Sequence, residues 1–160
     1  MKKFFSLLFL TLLMLGVLSM FVSQSSFAAK SEKAQGPHQK TTGEFVGLAG
    51  TTRIEMKVTA HDTNPAKGQV YYSNSTGKYF EGKVTGYLQV ENKSVFVGKV
   101  TNSNFSETQK YFKVWAYDAG EGEIAEPDMF RVVLYTSPQG YSRVETGYGA
   151  SVIEGNIQVH

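Results

Sequence analysis

Along most of the chain apolar and polar residues alternate with a period of two. In "TRIEMKVTAH" the residues Ile54, Met56, Val58 and Ala60 fall on one side, and Arg53, Glu55, Lys57 and Thr59 on the other. Successive side chains of an extended strand point to opposite faces, so this pattern predicts a strand with one face in a core and one in water. "KGQVYYS" reads as a second such strand and "YFEGKVTGYLQV" as a third, with Phe80, Gly82, Val84, Gly86, Leu88 and Val90 on one side. The two glycines on that side predict a sharp bend or a close approach to other backbone. "SVFVGKVT" follows after only "ENK", which predicts a tight hairpin at Asn92. "YFKVWAYD" alternates again, Phe112, Val114 and Ala116 opposing Tyr111, Lys113, Trp115 and Tyr117, and "MFRVVLY" and "SVIEGNIQV" follow it. With a short "GEFVGLA" at the start the count is about eight strands, separated by Gly, Asn, Ser and Pro. No segment carries a helical period. The expected fold is all-β, an antiparallel sandwich or partly closed barrel of about eight strands.

Two stretches fall outside this pattern. Residues 1–28 have two lysines, an apolar run from Phe4 to Val22 and small residues at Ser26 and Ala28, the layout of a signal peptide cleaved after Ala28. "AKSEKAQGPHQKTT", residues 29–42, is polar and unpatterned, so a flexible tail is expected there and a single β-domain over 43–160. Export into the medium without a membrane anchor is the expected fate, and the short lysine-led leader points to a bacterium. The whole chain has 16 Lys plus Arg against 14 Asp plus Glu, and Lys2 and Lys3 account for the excess. The exported chain is therefore formally neutral, with no polybasic field for nucleic acid or anionic lipid. The absence of cysteine rules out disulfides, a lipidated cysteine, thiolate zinc sites and thiol catalysis, and leaves stability to the core. In a bacterial setting the sequons at Asn74, Asn92 and Asn104 read as turn residues.

The segments "GQVYYSNSTGKYFEGKVTGYLQVENKSVFVGKVT", "YFKVWAYDAGEGE", "DMFRVVL", "GY" and the terminal "GNIQVH" occur in a telling order. From Gly68 to His160 the chain resembles a family of small secreted bacterial β-domains that includes the post-COAP type domain. The family's D-x-G-E-P loop followed by D-x-F is matched here by Asp118, Gly120, Glu121, Asp128 and Phe130, with Gly122 standing where the proline often sits. The resemblance implies an all-β fold and secretion, and brings no assigned activity with it.

Among candidate chemistries, the acidic segment "YDAGEGEIAEPDMF" comes first, with five carboxylates in the eleven residues from Asp118 to Asp128. Calcium takes about six to eight oxygens, which Asp118, Glu121, Glu123 and Asp128 could supply together with backbone carbonyls. The spacing is not that of an EF-hand. The alternative, and the expected one, is that Asp118 and Asp128 bond backbone amides to order the loop while the glutamates face water, in which case no cofactor is required. His38, His61 and His160 have no ligand spacing, and His61 beside Asp62 lacks a nucleophile motif such as G-x-S-x-G, so no catalytic residue is assigned and the protein is not expected to be an enzyme. Tyr111, Trp115 and Tyr117 share one face of a strand whose other face is apolar. If that face is open, flat rings in a row are the means by which secreted β-modules grip sugars; if it is covered, the rings are packing. The expected function is a secreted, non-catalytic binding domain for a cell-surface or extracellular component such as a glycan. The alternatives are a protein-interaction or structural module and, last, a hydrolase with an unrecognised site. An open planar run at Trp115 would favour a glycan, and an apolar patch or free sheet edge would favour a protein.

Overall fold

The computed structural model describes residues 38–121, 125–142 and 149–160. Eight antiparallel strands, β1 (Lys40–Ala49), β2 (Thr52–His61), β3 (Lys67–Asn74), β4 (Tyr79–Val90), β5 (Lys93–Ser103), β6 (Tyr111–Tyr117), β7 (Met129–Tyr135) and β8 (Ala150–Val159), pair in chain order, and β8 returns to β1. Of the two architectures that the alternation allows, the closed barrel is the one formed. A short 3₁₀ helix, Pro138–Ser142, follows β7. No helix among the described residues is long and apolar enough to cross a membrane.

Inward positions of the strands fill the barrel. Phe45, Met56, Val58, Ala60, Val70, Phe80, Phe96, Phe112, Val114, Phe130 and Ile157 are all buried. The phenylalanine rings interlock, Phe45 edge-on to Phe130 with centroids 4.9 Å apart and Phe80 against Phe112 at 5.6 Å. Burying a side chain of this size stabilises a fold by about 1.5–3 kcal/mol, which is how a chain without disulfides holds together. One end of the interior is polar: the Thr41 hydroxyl donates to that of Ser94 at 2.6 Å and lies 2.9 Å from the Tyr87 hydroxyl, which donates to Gln89 Oε1 at 2.7 Å. Among the described residues every buried side-chain nitrogen and oxygen has a partner.

Three features depart from the sequence reading. The first strand begins at Lys40, inside the stretch assigned to the flexible tail, and not at Gly43. Lys40 and His160 exchange backbone hydrogen bonds of 2.9 Å, and Thr41 is fully buried. A threonine satisfied by other interior hydroxyls leaves no apolar mark in the sequence. Secondly, β4 does not keep one face throughout. A bulge at Thr85 breaks the register between Val84 and Gly86, so Phe80, Gly82 and Val84 point inward while Leu88 and Val90 point out, and Tyr87 and Gln89 take the inward positions. An extra residue in one strand of a pair reverses every side chain beyond it. Thirdly, the closure is uneven. β8 runs along most of β1, whereas among the described residues β7 meets β8 at two pairs, Met129↔Ser151 and Phe130↔Ala150.

Candidate functional site

The acidic loop lies where β7 falls short of the C-terminal half of β8. Pairing there is taken over by side chains. Asp128 accepts from the Ile157 amide at 2.7 Å through one oxygen and from the Ala119 amide at 2.9 Å through the other. Asp118 accepts from the Val159 amide at 3.0 Å and from the Gly120 amide at 2.9 Å. The amides of Ile157 and Val159 point away from β1 and would otherwise lack a strand partner, so the two carboxylates stand in for missing strand carbonyls. Glu121 accepts from the Asn156 side chain at 2.6 Å, and Glu126 is exposed. Glu123 lies outside the described residues. The loop therefore orders backbone, as the amide-bonding alternative has it, but the main amides it serves belong to a distant strand. Among the described residues no three His, Asp or Glu side chains converge to hold a metal ion. His61 and Asp62 close the β2 end of the sheet, where the Asp62 amide donates to the Gln39 carbonyl and its own carbonyl faces the His38 ring.

The aromatic row of β6 does lie on the outer wall, opposite buried Phe112, Val114 and Ala116. Each of its rings is half-buried and engaged. Tyr111 meets Tyr141 of the 3₁₀ helix edge-on at 5.9 Å. The Lys113 ammonium sits 4.5 Å from the centre of the Trp115 ring, and that of Lys93 is 5.5 Å from the centre of Tyr117. Lys113 is only 8% exposed and also donates to the Tyr141 carbonyl at 2.7 Å. Tyr141 itself donates to the Gly98 carbonyl at 2.7 Å, and burial, reinforced by Tyr111 and partly offset by Thr85, pushes its phenol up to about 12. A tryptophan capped by an ammonium is a cation–π pair rather than a free platform.

Register brings further residues to this wall. Leu88, Val95, Trp115 and Arg131 form one row across β4 to β7, and Val90, Lys93, Tyr117 and Met129 form the next. Such cross-strand neighbours have Cβ atoms about 4.5–5.5 Å apart, so the rows are continuous surface. Leu88 is 59% and Val90 62% exposed, the two most exposed large apolar residues of the chain's described part. Sequence reasoning put both on the same side of the strand as Phe80 and Val84, which are buried. The only local sign of the reversal was the glycine pair of β4, Gly82 and Gly86, which predicted a bend without saying that a residue would be inserted at it.

Compared with known proteins, the chain matches no family model, no curated protein and no solved structure.

Proposed function

We propose that the protein is an exported, non-catalytic binding domain that docks an extracellular protein through the outer wall of β4, β5 and β6. The observation that carries this reading is the outward turn of Leu88 and Val90 at the Thr85 bulge, which lays two aliphatic side chains beside Val95 and Trp115. Exposing apolar side chains together is unfavourable in water, and a contiguous patch of this kind suits burial against a partner. Trp and Tyr next to aliphatic residues are the composition of an interface centre, and the lysines at Trp115 and Tyr117 hold the rings in place at its rim. A protein suits this wall better than a glycan, because sugar stacking uses the ring faces against which these ammonium groups pack.

The test uses the protein exported by its own cell. A photoreactive amino acid at position 88 is expected to give a protease-sensitive adduct that the same group at exposed position 53 does not, and Val90→Glu is expected to abolish it while the thermal midpoint holds. The exported form is expected to begin at Ala29. Equal labelling from both positions, or an adduct removed by glycosidases and resistant to proteases, would overturn the reading.

A further inference from the structure

The Thr85 bulge divides β4 into two surfaces, and the half before it faces a different sector of the wall. There an open groove of about 700 Å³ crosses β1 to β4. Its shape has a cause in the sequence. Gly43 and Gly82 line it, and neither has room for a methyl group. A Cβ at Gly43 would lie 2.6 Å from the Asn156 carbonyl oxygen, and one at Gly82 would lie 2.4 Å from the Phe112 ring. The backbone of β4 is thus drawn in onto the Phe112 ring at Gly82, β1 lies close against β8 at Gly43, and the groove runs over both points.

The floor of the groove is a ladder of side chains set by register. Glu44, Lys57, Tyr71 and Glu81 form one row, and Gln69 and Lys83 are paired in the next. Tyr71 is at the centre of the first row and 37% exposed, flanked on its neighbouring strands by Lys57 and Glu81. Lys57 is ion-paired with Glu44. Two carboxylates and two ammonium groups cancel, so the groove has no net charge to attract a polyanion or a polycation. What it offers is an aromatic ring with carboxylate acceptors, ammonium donors and a side-chain amide around it. A sugar presents the complement, C–H faces for the ring and hydroxyls that both donate and accept.

We infer that this groove is a binding site for a neutral oligosaccharide, with a sugar ring on Tyr71 and its hydroxyls held by Gln69, Glu81 and Lys83. The site shares no residue with the wall assigned to a protein partner, so either can fail without the other.

Amide spectra of the isotope-labelled exported protein test it, titrated with cellohexaose, chitohexaose, maltohexaose and xylohexaose. At least one of the four is expected to give saturable shifts at Glu44, Lys57, Gln69, Tyr71, Glu81 and Lys83 while the Trp115 indole signal stays in place. Tyr71→Ala is expected to weaken that binding at least about tenfold with the fold intact, because the residue is exposed. Glu81→Gln keeps one acceptor and is expected to lose less. Silence with all four sugars, shifts centred on Leu88 and Trp115, unchanged affinity in Tyr71→Ala, or equal shifts from an uncharged peptide would each overturn the assignment.

Discussion

Asp128 is buried, and each of its oxygens serves an amide, that of Ile157 on the neighbouring strand β8 and that of Ala119 in its own loop. Removing the acceptor leaves both donors without it, at about 1–3 kcal/mol for each one buried. Asp128→Ala is therefore expected to lower unfolding free energy by about 2–4 kcal/mol in urea titrations, and Asp128→Asn, which keeps one oxygen, by less. To ligate calcium, Asp118 and Asp128 would have to leave four amides. Thermal scans in calcium and in EDTA are expected to coincide, and a calcium-dependent rise of several degrees would contradict the amide-bonding role. Tyr141 gives a prediction in pH. Its phenol is raised from 10.0 to about 12 in the fold, chiefly by burial, so between these values the unfolded chain has lost a proton that the folded chain keeps. Stability from this group is present below about pH 10 and is lost as pH climbs towards 12. Tyr141→Phe is expected to be less stable at neutral pH, by about 1 kcal/mol for the bond to Gly98, and to close on the unmodified protein above pH 10. A gap that is constant with pH would refute the burial of that hydroxyl.

At the scale of elements, β4 shows how one residue changes the use of a strand. Before Thr85 it contributes Phe80 and Val84 to the core, and after it Leu88 and Val90 to the surface, with Tyr87 stacked inside on Phe96. The hairpin that follows turns through Glu91 and Asn92, closed by the pair Val90↔Lys93. Glu91 has φ of 55°, a left-handed conformation that costs a residue with a Cβ about 1–2 kcal/mol and costs glycine little. Asn92 ties the turn to the acidic loop through a 2.7 Å bond to the Asp118 carbonyl. Glu91→Gly is accordingly expected to raise the unfolding free energy by about 0.5–1 kcal/mol once glycine's greater freedom in the unfolded chain is subtracted, and the thermal midpoint with it. A lower midpoint would show that the Glu91 side chain contributes more to the hairpin than its backbone strain takes away.

In the molecule as a whole the barrel is a cylinder with a weak seam. Seven of the eight strand boundaries pair over five residues or more, and among the described residues the eighth, β7 to β8, has two pairs and then depends on Asp118 and Asp128. Regions held by few backbone pairs open at lower free energy than the rest. In native-state hydrogen exchange the amides of Ile157 and Val159 are expected to exchange before those of Met56 and Tyr72, on strands paired along both edges, and Asp128→Ala is expected to speed Ile157 selectively. Uniform exchange across all four would mean that the carboxylates close the seam as firmly as a strand does.

What the sequence determined by itself was the property that depends on nearest neighbours. Alternation in "TRIEMKVTAH" and "YFKVWAYD" identified strands and their inner faces, since the direction of a side chain in a strand follows from its parity alone. Composition likewise settled that no thiol chemistry is available. Pairing between distant strands decided the rest. Gly86 carries no side chain to report which face it occupies, so parity could not reveal that Thr85 is an extra residue, and with it went the placement of Leu88 and Val90. Thr41 looked like tail because its partners, Ser94 and Tyr87, are about fifty residues away in sequence. The acidic loop was legible as a cluster of carboxylates, but the amides that Asp118 and Asp128 satisfy belong to β8 and come within reach only when the barrel closes. A local pattern specifies which way a side chain points; only the folded wall specifies what it meets there.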